Sequence, residues 1–221
     1  MTQKESPNKE KIAESMKLLM SGKRDEAEEA LKALNNENPD DIVIKQNLSV
    51  ALYQNGKADE AAEVLKACID LKPNEFSNYH NLGLIYERMN KKKEAKHYYI
   101  KATKLDKKAH ISFTRLGQIF FDEGNYVESL KAYQAILGIN GPNAFSANLG
   151  KGLCLSRLGY KKEAKKCLEI VTKQKPEYES TKEALAFLYL DLGNYKEGRK
   201  IFREINGEIL FNFNEGTLSI S

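Results

Sequence analysis

Asn47 and Asn81 stand 34 residues apart, and Arg115 follows at the same interval. A side-chain amide offers both a donor and an acceptor. Two amides held at a fixed separation can therefore bond the backbone of an extended peptide whatever that peptide's sequence. They can equally bond a neighbouring helix, and the residues alone leave both readings open. Arg115 adds a guanidinium able to hold a carboxylate or a peptide carbonyl. Reaction chemistry is not legible anywhere. The chain has no GxxxxGK[ST] phosphate loop, no HExxH and no GxSxG. His80, His97 and His110 lack metal-spaced partners beyond what the periodicity of the chain explains. Cys68, Cys154 and Cys167 are far apart, with no CxxC pair, so reduced core thiols are expected in place of a disulfide framework or zinc site. The expectation is a chain that is not an enzyme, with no cofactor and no metal.

Composition agrees with a surface-rich, helical molecule. The 221 residues are 41% hydrophobic and 30% charged, and Tyr (11) and Phe (9) carry the aromatic packing in the absence of Trp. A net charge of +4 does not by itself call for a polyanionic partner. The first fifteen residues, MTQKESPNKEKIAES, contain no apolar core of a secretory signal. No run approaches the roughly 18 apolar residues that span a membrane. A cytoplasmic protein without a transmembrane segment is expected.

The elements that must position these side chains repeat. Phe76 to Ala109 holds two helical patterns separated by a polar break at Met89-Asn90-Lys91, and the pattern recurs on both sides. After a leader at 1–7, six copies fall at 8–41, 42–75, 76–109, 110–144, 145–178 and 179–206, followed by an apolar tail at 207–221. Position 15 is Gly22, Gly56, Asn90, Gly124, Gly159 and Gly193, residues that tolerate the left-handed backbone ending a helix. Position 19 is Glu in every copy, suited to the first turn of a second helix. Position 20 is small (Ala27, Ala61, Ala95, Ser129, Ala164, Gly198), as close helix approach requires. Positions 11 and 24 carry Leu, Tyr or Phe and should face the gap between helices. Pro39, Pro73 and Pro176 stop the second helix. The fourth copy runs one residue long near Gly138–Pro142, which predicts an irregular joint.

This combination resembles the tetratricopeptide repeat, over about 200 residues. The resemblance implies an all-α, right-handed superhelical solenoid of antiparallel helix pairs, with the first helix of each pair lining a concave groove. On that mapping the groove residues are Gln46, Asn47, Val50 and Tyr53 in copy two, and His80, Asn81, Leu84 and Arg88 in copy three. Copy four adds Arg115, Gln118 and Phe121, copy five Leu153 and Arg157, and copy six Phe187. Many peptide-binding members use asparagine at the position of Asn47 and Asn81. The dicarboxylate clamp for chaperone tails does not fit, because only Asn81 and Arg115 match among Gln46, Val50, Asn81, Ile111 and Arg115.

Two further features stand outside the groove. Copies three and five carry net charges of +6 and +5, through lysines such as Lys91-Lys92-Lys93, Lys96, Lys101, Lys104, Lys161, Lys162, Lys165 and Lys166. Most fall on second helices and form either a solvated convex stripe or a surface for acidic protein, RNA or anionic membrane. The tail, GEILFNFNEGTLSIS, alternates with a period of two around a turn signal at Asn214-Glu215-Gly216. It reads as β-type, either folding over the last copy or pairing with another molecule, which would join the chain into a homo-oligomer. The leading expectation is a protein–protein interaction scaffold or adaptor holding a peptide or helix of a partner in its groove. Polyanion or RNA binding through the basic stripe, and self-assembly through the tail, are the alternatives; nucleic acid is the weaker partner.

Overall fold

Six turns in this chain are closed in one way, and that closure builds the fold. Gly22, Gly56, Gly124, Gly159 and Gly193 have φ between 75° and 85°, and Asn90 has φ 58°. At each, the next N–H reaches back to the carbonyl five residues earlier, as from Lys57 to Leu52 at 2.9 Å and from Lys91 to Tyr86 at 2.9 Å. This satisfies carbonyls that a helix end leaves open and reverses the chain within three residues. Asn is the non-glycine residue that reaches this region at least cost, which explains Asn90.

The computed structural model describes residues 8–138, 144–206, 209–212 and 217–220. Among these, twelve helices form six pairs: α1 (Lys9–Met20) and α2 (Arg24–Glu37), α3 (Ile42–Gln54) and α4 (Ala58–Leu71), α5 (Phe76–Arg88) and α6 (Lys92–Leu105), α7 (His110–Asp122) and α8 (Tyr126–Leu137), α9 (Ala144–Arg157) and α10 (Lys161–Gln174), α11 (Glu179–Asp191) and α12 (Tyr195–Asn206). Each second helix carries its conserved-in-register glutamate, Glu26 to Glu197, in the first turn. Pro39, Pro73 and Pro176 follow the ends of α2, α4 and α10 by two residues. The long stretch after α8 falls mostly outside the described residues, and with it the expected irregular joint.

The chain divides into two compact units, Met1–Ser112 and Phe113–Ser221. In the first, Ile12, Leu31, Leu34, Ile44, Leu52, Leu65 and Leu82 belong to one apolar cluster. The second contains one cluster around Leu155, Leu168, Leu185 and Leu188 and another around Tyr133, Ile136, Ala147 and Cys154. The small residues at position 20 are fully buried from Ala27 to Ala164. A Cβ added to Gly198 would come within 2.8 Å of Leu190 and 3.0 Å of the Ala186 carbonyl oxygen, so this crossing is close. Position 24 is buried in all six copies. Position 11 is less uniform: Leu52 and Leu155 are buried, whereas Leu18, Tyr86, Phe120 and Tyr189 keep part of their surface.

Side-chain size is matched across several of the pairs. Tyr99, completely buried, lies over Gly83, where a Cβ would sit 2.7 Å from its ring. Tyr133 lies over Gly117 and Gly150, where added Cβ atoms would come within 2.7 and 2.3 Å. Opposite Leu31 and Leu65 the residue corresponding to Gly83 is Ser15 or Ser49, both buried and bonded to their own helix, whereas Leu168 packs on Gly152, where a Cβ would come within 3.0 Å. The three cysteines are free and buried, and burial pushes the Cys68 thiol up to about 11.

One charged group enters the core. Glu28 is only 3% exposed and accepts from Asn55 Nδ2 at 2.6 Å, Lys57 Nζ at 2.7 Å and Lys32 Nζ at 2.7 Å. Burial alone would raise its pKa. The two ammonium groups and the amide outweigh that and lower it to about 2. The carboxylate thus ties α2 to the turn between α3 and α4.

Beyond α12 the tail forms an antiparallel pair, β1 (Ile209–Asn212) with β2 (Thr217–Ile220), in the register Ile209 to Ile220 and Phe211 to Leu218. The β-type expectation holds for these strands, and they pair with each other. The turn between them lies outside the described residues.

Candidate functional site

The candidate site of the first unit lies where α3 and α5 run side by side over α4. Each is the first helix of its pair, and both are held by the left-handed turns at Gly56 and Asn90. A cavity of about 210 Å3 opens there, lined by Ser49, Val50, Tyr53 and Gln54 from α3, Leu65 from α4, and Asn81, Leu84 and Ile85 from α5. Leu65 is its floor, since that side chain is fully buried at position 24. Val50, Tyr53, Asn81 and Leu84 are half-buried walls. At the rim, the Arg88 guanidinium lies 5.0 Å from the centre of the Tyr53 ring. This holds the arginine against one wall residue of the cavity while leaving its charge exposed. The room is enough for one large apolar side chain.

The two amides singled out by spacing do different things. Asn47 Nδ2 donates to the Val43 carbonyl of its own helix at 2.7 Å. Asn81 stands on the cavity wall, and among the described residues its amide makes no hydrogen bond. Gln46 donates to Asn78 Oδ1 at 2.6 Å, and the wholly buried Asn78 donates onward to the Cys68 carbonyl at 3.4 Å. Gln46 is therefore tied into the packing between α3 and α5. His80 Nδ1 shares a 2.8 Å bond with Ser112 Oγ, and its ring sits 5.6 Å from that of Tyr99.

In the second unit the expected groove residues are more dispersed. Gln118 Nε2 donates to Asp122 at 2.7 Å on the same helix. Phe121 packs beside the Tyr133 cluster, edge-on to Tyr126 at 5.2 Å. Arg115 and Arg157 are exposed and Leu153 is half-buried. Phe187 is 50% exposed and meets Phe202 edge-on at 5.0 Å. All fourteen positions keep accessible surface, but Val50, Tyr53, Asn81 and Leu84 are the ones that line one cavity, with Arg88 stacked on Tyr53. Ser49, Leu65 and Ile85 lie outside the groove positions that the repeat implies. Leu65 could have been found, because a position-24 side chain must underlie the first helices of two successive copies.

Many of the lysines of the basic copies are already engaged. Lys91 is 3.9 Å from Asp59, and Lys101 lies over Tyr79 and Tyr98 at 5.7 Å each. Lys161 is 3.5 Å from Asp191, and Lys165 is 3.7 Å from Glu169. Among the described residues, no helix is long and apolar enough to cross a membrane.

No curated protein matches the chain. Solved structures do. YrrB, described as a tetratricopeptide-repeat protein with an unusual peptide-binding site, aligns with TM-score 0.71 at 21% identity, over 80% of this chain and 91% of that one. A tetratricopeptide-repeat protein from Parabacteroides merdae aligns with TM-score 0.71 at 19% identity, over 89% and 78%. MamA from Desulfovibrio magneticus aligns with TM-score 0.67 at 17% identity, over 74% and 92%. At these identities the likeness concerns the fold. Models of the tetratricopeptide repeat match residues 18–83, 76–108 and 145–178, which together span more than half of the sequence. With six glycine- or asparagine-closed helix pairs and small residues at every close crossing, the chain belongs to the tetratricopeptide-repeat family.

Proposed function

We propose that the chain is a non-catalytic interaction scaffold, and that the cavity between α3 and α5 is where a peptide or helix of a partner protein is anchored. The observation that carries this reading is the pairing of an apolar socket with an amide on its wall that makes no bond within the described residues. A bulky apolar side chain entering beside Val50, Tyr53 and Leu84 would bring its own backbone to the Asn81 amide. Arg88, held over Tyr53, would favour a carboxylate next to that side chain. Burying one such side chain contributes about 1.5–3 kcal/mol. The reading also places Asn47 and Gln46 in a lesser role, since both amides are already bonded within the chain.

Selection of a random peptide library on the full chain tests this. Enriched peptides should share one large apolar residue followed or preceded by an acid. Leu84→Arg should weaken them at least tenfold, and Asn81→Ala should weaken them several-fold with the melting temperature unchanged. Peptides that ignore both substitutions would place the binding site elsewhere. The basic stripe is a less supported surface, because several of its lysines are committed to Asp59, Asp191, Glu169 and tyrosine faces.

A further inference from the structure

The cavity between α3 and α5 is lined by positions 8, 9, 12 and 13 of one copy, position 24 beneath them, and positions 6, 9 and 10 of the next. The same register applies one joint earlier, inside the same unit, where α1 lies against α3. It brings Met16, Leu19 and Met20 together with Asn47 and Val50, over Leu31. Leu19 and Leu31 are buried and close the floor. The surface left above them is methionine. Met16 is half-buried against the core cluster, and Met20, one turn on, is 88% exposed, more than any other large hydrophobic among the described residues. Position 13 is polar in every other copy, as Gln54, Arg88, Asp122, Arg157 and Asp191. The fold therefore does not demand an apolar residue there. Methionine is unbranched and polarisable, which suits it to gripping a side chain of irregular shape.

The polar groups around the two joints are open. Among the described residues the Asn81 amide, the Tyr53 hydroxyl and the Gln54 side-chain amide make no hydrogen bond. Asn47 donates through Nδ2 to the Val43 carbonyl, and this fixes its amide with Oδ1 left as an acceptor. A helix laid over these groups brings a backbone already bonded to itself, so they would lose water without replacement. A polyproline-II segment brings a backbone with no internal hydrogen bonds, able to meet them. Spacing points the same way. Packed helices lie about 10 Å apart, and so do successive joints. Polyproline II has three residues per turn at about 3.1 Å each, so side chains i and i+3 share a face about 9 Å apart. A β-strand repeats its face at about 7 or 13 Å and misses that interval.

We propose that the α3–α5 cavity and the Met16–Met20 surface of α1 are two sockets of one site, and that its occupant is a polyproline-II segment of a partner protein with large apolar residues at i and i+3. This rests on the reading of the cavity as the anchor site, and adds the form and spacing of what is held there. One apolar side chain enters between Val50 and Leu84, and the other lies on the two thioethers. The backbone between them passes Asn47 Oδ1 and the Asn81 amide. A second copy of this chain does not supply such a segment. None of Pro7, Pro39, Pro73, Pro142 and Pro176 stands between two large apolar residues three apart, and the tail alternates with a period of two.

The test is fluorescence anisotropy on the full chain. The probe is a labelled peptide of about nine residues with Leu-Pro-Pro-Leu at its centre. Three further peptides carry a single leucine, leucines at i and i+2, or leucines at i and i+7 of an alanine-based helix. The i, i+3 peptide should bind about fivefold tighter than each of these. Met20→Gln should bring it down to the affinity of the single-leucine peptide, and leave that peptide's affinity and the melting temperature unchanged. Glutamine is what the second copy carries at this position, so the variant keeps a residue the fold accepts. Leu84→Arg should weaken every peptide. An i, i+3 peptide that binds no better than the single leucine, or that ignores Met20→Gln, would overturn the second socket and leave the cavity reading in place. Tighter binding of the helical peptide would overturn the polyproline-II form. Binding that ignores Leu84→Arg, or no binding of any peptide, would remove the cavity reading and this inference with it.

Discussion

The joint between the first and second copies and the joint between the fifth and sixth use the same positions with opposite charge. In the first, a buried carboxylate, Glu28, collects Lys32, Lys57 and Asn55. In the last, the residue at that position is Lys165, which lies over Tyr189 and near Glu169, at about one-third exposure. The backbone geometry decides where one pair touches the next. Burial then decides how much the contact is worth. A desolvated carboxylate with three donors is strongly coupled to folding, whereas exposed pairs are screened and contribute little.

The largest expected break in that contrast is Glu28→Gln. Its folded pKa of about 2, against 4.5 for the free group, corresponds to about 3 kcal/mol of stabilisation. Because the folded pKa is the lower one, this contribution is complete above pH 4.5 and disappears as the pH falls towards 2. Denaturant melts of the two proteins should therefore differ most at neutral pH and converge in acid. Next in size is Tyr189→Phe at the other joint. It removes the hydroxyl bonded to Glu169, at a cost of about 1 kcal/mol by the same melts. Smallest is Lys161→Ala, which loses an exposed pair with Asp191 and should shift stability by less than about 0.5 kcal/mol. Raising salt should erase the Lys161 effect and leave the Glu28 effect largely in place. A Lys161→Ala change as costly as Glu28→Gln would show that burial is not what separates the two joints.

The pairs of helices were readable because each turn needs a left-handed residue and each crossing a small one, and both requirements recur at fixed spacing. Asn90 shows how far that logic extends, since it takes the glycine's place with φ 58°. Cavity-forming residues were partly readable for the same reason: Val50, Tyr53, Asn81 and Leu84 follow from the facing of the first helices. The divergence of Asn47 from Asn81 was not readable. Both sit at equivalent positions, and only local rotamers send one amide to the Val43 carbonyl. Nor could the Glu28 network be found by period, because position 21 is acidic in the first copy alone, and its partners come from the turn of the next copy.

The fit of Tyr99 over Gly83 and of Tyr133 over Gly117 and Gly150 makes the copies less interchangeable than their common period implies. A chimera carrying the second helix of copy three behind the first helix of copy two would press a phenol ring onto Ser49, where Leu65 now packs. The reverse exchange would leave a leucine facing a glycine, a combination that the fifth copy accommodates by close approach, Leu168 lying 3.0 Å from a Cβ added at Gly152. Duplication or shuffling of these modules therefore succeeds when both helices of a pair travel together. In this array the heritable unit is the matched hairpin.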